Sequence, residues 1–186
     1  MTFNTKKNGY SLIEVLVAVA LLMFAIVGPM TIAVKSTQSA QYARQQNTAF
    51  FLAQEGISVV NTIRNNAALA KTLGSATDAW AWASNPALAP CFQNYGCDID
   101  FINTTLFNNV KSCSNINNCT LLFNESAGRA VYQTVSGSAS PYRRVITFQT
   151  ATPDEIIVTS RVEWDTKLLG GVQTVSLSTS LFNIFK

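Results

Sequence analysis

The chain has 186 residues, enough for one globular domain with a separate apolar segment and too few for two comfortable domains. Charged residues are only 12%, against about 25% in an average soluble protein, and Asn, Thr, Ser and Gln replace them, a neutral polar surface suited to the outside of a cell. The net charge of +3 falls to +1 once Lys6 and Lys7 are set aside, leaving no basic stripe for nucleic-acid binding, and with no His in the chain there is no Ser-His or Cys-His pair and no HExxH metal motif.

In chain order, the first element is an apolar run over residues 10–34. As a helix its 25 or so residues measure roughly 37 Å, enough to span a bilayer core of about 30 Å. It exceeds the usual h-region of about 7 to 15 residues and no Ala-x-Ala site follows it, so it is expected to stay in the mature protein. Lys6 and Lys7 precede the run, whereas only Lys35 and Arg44 lie in the polar segment just after it. That bias predicts a cytoplasmic N-terminus and an extracytoplasmic domain. Glu14, one turn inside the run, is the anomaly, because an acidic group at mid-helix costs about 2.5 to 3.5 kcal/mol on insertion scales. Something must compensate it.

The residues around Glu14 carry a resemblance. Lys6 and Lys7, then Gly9, the hydrophobic Tyr10, and Glu14 as the fifth residue after the Gly, resemble the class III signal of type IV prepilins and pseudopilins. The run SLIEVLVA is similar to that family's common start, with Tyr10 where Phe is usual. Farther on, LAQEGISVVNTIRNN resembles the extramembrane half of the helix in prepilin-type proteins. The EVLVA start is most similar to V-type minor pilins and I-type minor pseudopilins.

The resemblance implies cleavage after Gly9 and N-methylation of Tyr10. It also implies partners: other pilins, prepilin peptidase, an inner-membrane assembly platform and, before assembly, membrane lipid. Cleavage would give Tyr10 a free α-amino group, a cation that a staggered neighbour can bring alongside Glu14. Pairing across subunits would then offset the carboxylate's desolvation.

Gly28-Pro29 interrupts the apolar half. Since Pro inside a helix removes a backbone bond and clashes with the preceding turn, at about 3 kcal/mol in water, a kink or melted turn is expected there. Beyond residue 34 the segment KSTQSAQYARQQNT has no Pro or Gly to stop a helix. Phe50, Ala53, Ile57 and Val60, with Leu52, Val59 and Ile63, form an apolar stripe at spacings of three and four, opposite Gln54, Glu55, Ser58, Thr62 and Asn65. One helix is therefore predicted from about Ser11 to about Ala70.

Residues 74–90 are small and irregular, with Trp80 and Trp82 expected to cover the buried face of the helix. Cys91, Cys97, Cys113 and Cys119 follow as two pairs. Four cysteines allow three connectivities; outside the cytoplasm disulfides are expected, and local pairing of Cys91 with Cys97 and Cys113 with Cys119 is favoured. A four-thiolate zinc site is the sharper alternative, but its ligand pairs are usually two to four residues apart. Asp98 and Asp100 could reach calcium, yet a cation taking about six to eight oxygens needs more than two carboxylates, so a solvated loop is the expectation. Asn103, Asn118 and Asn124 each begin an N-x-Ser/Thr triplet, a pattern that an Asn- and Thr-rich chain produces easily.

The last third alternates with period two. Residues 144–150 form one strand, turned by Thr152-Pro153-Asp154-Glu155. Ile156, Val158, Val162 and Trp164 share one face of the next; after Gly170-Gly171, so do Val175, Leu177 and Leu181. A less regular pair, residues 120–123 and 129–135, turns at Ser126-Ala127-Gly128. The acid pairs Asp154 with Glu155 and Glu163 with Asp165 fit turn and strand-surface roles, so no catalytic constellation remains.

The expectation is thus an α+β, pilin-like fold in which a long N-terminal helix packs on an antiparallel β-sheet meander. It divides into a cleaved leader (1–9), a transmembrane and assembly helix (10–34) and an extracytoplasmic domain (35–186); the domain comprises the rest of the helix to about 70, a cysteine-containing region over 74–119 and the sheet over 120–186. The expected role is a structural, non-enzymatic subunit of a type IV pilus or secretion pseudopilus without cofactor or metal, an uncleaved single-span binding domain being the rival.

Overall fold

The computed structural model describes residues 11–100, 110–126, 129–133, 136–166 and 170–184. The chain divides into two units, Met1–Ala43 and Arg44–Lys186. Helix α1, Leu12–Thr72, is 61 residues long and matches the predicted limits to within two residues. It stops for a local reason. Gly74 has a φ of 73°, its N–H donates to the Lys71 carbonyl at 3.0 Å, and the Ser75 N–H donates to the Ala70 carbonyl at 2.8 Å. These two bonds form a Schellman cap, and Lys71 in the last turn complements the helix dipole.

In the first unit every side chain from Ser11 to Gln41 is exposed, and the most apolar stretch, of mean hydropathy 2.6, is 0% buried. By length and composition this helix can cross a membrane. Of the kink or melted turn expected at Gly28-Pro29, the melted turn is absent, for α1 runs through both residues with Pro29 inside it. Proline has no N–H to donate to the Ala25 carbonyl one turn back, and the flanking Leu, Met, Ala and Ile are residues that a helix accepts readily. The Thr31 hydroxyl donates to the Gly28 carbonyl at 2.8 Å, satisfying an acceptor next to the proline.

In the second unit α1 buries Ala49, Leu52, Ala53, Gly56, Val59, Val60, Ile63 and Ala68, a stripe with steps of mostly three and one that closes one helical face. Of the predicted stripe, Leu52, Ala53, Val59, Val60 and Ile63 are buried; it departs only in that Phe50 is 45% exposed and Ile57 half-buried, whereas Gly56 is buried. The cause is steric. A Cβ on Gly56 would lie 2.5 Å from Ser160 Oγ and 3.3 Å from Arg144 Cδ, so the helix meets the sheet where it has no side chain.

Three long strands, β5 (Ser138–Thr152), β6 (Glu155–Thr166) and β7 (Gly171–Phe182), pair antiparallel in chain order. Along β6, Ile156, Val158, Val162 and Trp164 are buried as the alternation predicts, with Ser160 and Thr166 on the same face. β5 begins six residues before the predicted start because its first part pairs with β3 (Thr120–Ser126). The hairpin of β3 with β4 (Arg129–Gln133) is present, but β3 rather than β4 is the neighbour of β5. Ala127, Gly128 and Val135 lie outside the described residues.

The cysteine region, read as loop, supplies two further short strands, β1 (Cys97–Ile99) and β2 (Val110–Ser112). They join the sheet through Cys97 opposite Ile146. The core lies between α1 and this sheet and includes Val60, Ile63, Trp82, Leu88, Ile146 and Val158. Trp82 is buried there, and Trp80 stays half-buried with its ring edge-to-face on Trp82 at 5.4 Å.

Candidate functional site

Of the predicted site residues in the N-terminal segment, Gly9 and Tyr10 lie outside the described residues. Glu14 sits in the first turn of α1, with its N–H bonded to the Ser11 carbonyl at 3.0 Å. A carboxylate there is favoured by the positive end of the helix dipole. Its side chain is exposed, and among the described residues it has no salt-bridge partner. The segment can therefore present one negative group at the start of an apolar surface, and any cation that meets it comes from another part of the chain or another molecule.

The four cysteines are brought together in pairs: Cys91–Cys97 with Cα atoms 4.6 Å apart and Cys113–Cys119 at 5.6 Å. All four are buried. Cys91 lies in a 3₁₀ segment, Pro86–Phe92, and its bond to the first residue of β1 fastens that segment to the sheet. Cys113 and Cys119 pack with Val145 and Ile116. Sulfurs bound to each other offer no thiolate to zinc.

Asp98 and Asp100 are not in a solvated loop, since both are buried. Asp98 belongs to β1, and its Oδ1 accepts from Arg144 Nε at 2.7 Å and from the Ile99 N–H at 3.0 Å. Arg144, fully buried on β5, also donates to the Leu52 carbonyl at 3.3 Å and to the Ile99 carbonyl at 3.1 Å, and lies 3.3 Å from a Glu55 carboxylate oxygen. One guanidinium thereby ties α1, β1 and β5 together.

Burial pushes the Asp98 carboxyl above its usual range, and the adjacent Arg144 charge pulls it back without cancelling that effect. Asp98 Oδ2 has no hydrogen-bond partner among the described residues, which leaves part of the desolvation uncompensated. Burial pulls Arg144 down, but Asp98 and then Glu55 outweigh it and hold the guanidinium above its ordinary value. The cluster is a structural tie with every charge committed.

Sequence reasoning missed it, although a signal was present. Arg144 shares the strand parity of Ile146 and Phe148, so a period-two reading places a cation on the core face, where a partner is obligatory.

The remaining acid pairs do not converge. Glu163 meets Arg161 at 3.4 Å and Asp165 meets Arg143 at 3.2 Å, while Asp154 Oδ1 accepts from Asn183 at 3.3 Å in the β5–β6 turn. Asn118 and Asn124 are described, and Asn103 lies outside the described residues.

Residues 4–28 match the family described as the prokaryotic N-terminal methylation motif. This is the prepilin-type cleavage and methylation signal, and it supports a type IV pilin or pseudopilin precursor. No curated protein and no solved structure matches the chain significantly. Signal, apolar helix and α+β arrangement agree with a pilin-like structural protein, and the motif with its single N-terminal apolar helix suggests membrane anchoring.

Proposed function

We propose that the chain is a minor structural subunit of a type IV pilus or type II secretion pseudopilus. On this reading residues 1–9 are a cytoplasmic leader, prepilin peptidase cleaves after Gly9, and the new α-amino group of Tyr10 is methylated. Residues 10–34 hold the precursor in the inner membrane with its N-terminus cytoplasmic, residues 35–186 lie outside, and an inner-membrane platform moves the processed subunit into a filament with other pilins. Glu14 pairs there with a neighbour's Tyr10 amine.

One observation carries the reading: Gly9, Tyr10 and Glu14 stand in register inside the matched signal, at the head of an apolar stretch whose side chains from Ser11 to Val34 are all exposed. Soluble monomers rarely show contiguous apolar patches beyond a few hundred Å², whereas here large apolar side chains are exposed all along the stretch from Leu12 to Val34. Lipid first and other helices later account for it.

Intact-mass spectrometry of protein from cells with an active prepilin peptidase tests the proposal. A chain beginning at N-methylated Tyr10 is expected, and Gly9→Val should retain the leader. Wild-type protein that keeps residues 1–9 overturns the reading in favour of an uncleaved single-span anchor.

A further inference from the structure

Within the second unit, a groove of about 400 Å³ opens between two 3₁₀ segments, Ala81–Ser84 and Pro86–Phe92, and the β5–β6 turn. Trp80 and Phe92 supply its aromatic surface, Ser84 and Thr150 its hydroxyls, and Pro153 and the buried Ile156 its remaining apolar surface. No charged side chain lines it among the described residues. The volume lies in the range of ligand sites, about 300 to 1,000 Å³, and the mixture of apolar surface with a few polar groups is theirs as well.

The two rings are held from behind. Trp80 meets Trp82 edge-to-face at 5.4 Å, Trp82 meets Phe148 at 6.2 Å, and Phe148 meets Phe92 at 5.2 Å, all near-perpendicular. Trp82 and Phe148 are buried in the core. Phe92 is further fixed by its neighbour Cys91, which is disulfide-bonded to Cys97. Although Phe92 is 37% exposed, it is therefore not free to collapse onto the groove, and neither is Trp80. Rings fixed in place before binding lose little conformational entropy when a ligand arrives.

We propose that this groove binds a neutral sugar ring. A pyranose presents an apolar face of C–H groups and a rim of hydroxyls. The face matches the aromatic surfaces of Trp80 and Phe92, and the rim matches Ser84 and Thr150, whose hydroxyls both donate and accept. Lack of any charged group in the lining disfavours phosphorylated or acidic ligands, which need a cation to offset their desolvation. The proposal stands apart from the pilin reading, since the groove uses residues of the second unit alone.

The test uses the full-length chain in a detergent without a sugar headgroup, titrated with maltohexaose, cellohexaose and chitohexaose. Binding is followed by saturation-transfer NMR and by tryptophan fluorescence, with a hexaproline peptide as the competing probe for an aromatic groove. Saturable binding of at least one oligosaccharide is expected, weakened about tenfold or more by Trp80→Ala and unchanged by Tyr95→Ala, an exposed ring outside the lining.

Because Trp80→Ala also removes a ring contact to the core, Ser84→Arg is the second variant. Its site is exposed, so the chain should fold, with unchanged disulfides and thermal midpoint, while the groove is filled and binding falls. Three outcomes overturn the proposal: no saturable binding of any of the three oligosaccharides, binding that Ser84→Arg leaves intact, or hexaproline occupying the groove in their place.

Discussion

Two stretches of one helix, residues 12–41 and residues 44–72, obey different solvents. The first is apolar on nearly all sides as far as Val34, and it buries nothing in its own chain. The second carries a single stripe at spacings of three and four and buries it against a sheet. Burying a Val, Leu or Ile side chain contributes about 1.5 to 3 kcal/mol, so the second stretch obtains its stability from the rest of its chain. The first exposes Leu12, Leu16, Phe24 and Ile32 among many others, and that contribution must come from lipid or from other helices. Total hydrophobicity therefore does not identify a core; its periodicity does.

The comparison breaks most sharply at Arg144, where the second stretch depends on charge as well as apolar area. Arg144→Met should cost about 3 to 5 kcal/mol in urea unfolding followed by the fluorescence of buried Trp82 and Trp164, because Asp98 is left in the core without its cation. Replacing both partners, as in Arg144→Met with Asp98→Leu, should recover most of that loss, since no uncompensated charge remains. A single-variant loss below about 1 kcal/mol, in the range of exposed pairs, would show that the tie between α1, β1 and β5 is not what holds this unit together.

Residues acting through periodicity or local chemistry were legible in the sequence. The limits of α1, the inward face of β6, the turn at Pro153-Asp154 and the burial of Trp82 all follow from patterns within a dozen residues. Residues whose role depends on what the chain brings from far away were not. Asp98 reads as one of two loop acids until β1 is known to lie beside β5, 46 positions along the chain from Arg144. β1 and β2 are too short to carry an alternating pattern, and the order β4-β3-β5 depends on pairing between strands that no local spacing encodes. At Pro29 the local rule allowed either a kink or a melted turn, and the helix runs through it without the melted turn. In the N-terminal signal the register of Gly9, Tyr10 and Glu14 was itself the information, and it was entirely local.

A smaller effect is expected where α1 touches the sheet most closely. Gly56→Ala places a methyl 2.5 Å from Ser160 Oγ and 3.3 Å from both Arg144 Cδ and Ile146 Cδ1, an overpacking that should cost about 1 to 3 kcal/mol. Ser160 Oγ has no hydrogen-bond partner among the described residues, so Ser160→Ala should cost little alone and should recover part of the Gly56→Ala loss. Additive losses in the double variant would mean that Arg144 and Ile146, rather than Ser160, set the approach. The same Gly→Ala change at Gly28 meets nothing within 4 Å and should leave unfolding of the second unit unchanged.

The smallest effect on stability, and the one that most sharpens the contrast, belongs to Glu14. It lies in the first stretch with an exposed side chain, so Glu14→Ala should shift unfolding of the second unit by less than about 0.5 kcal/mol. Membrane insertion should be as good or better, because a group costing about 2.5 to 3.5 kcal/mol at mid-helix is gone. Cleavage after Gly9 should persist, since the substitution leaves the Gly9-Tyr10 bond and its apolar neighbour intact. Only incorporation into the filament should fall, as the partner of a neighbour's α-amino group is missing. An uncleaved single-span anchor predicts no loss at all. Glu14→Ala recovered with other pilins at the wild-type level, measured in sheared filaments or trapped assembly complexes, would count against the pairing even in a chain that begins at Tyr10. Processing reads the signal and incorporation reads the carboxylate, so the two measurements separate the family from the mechanism.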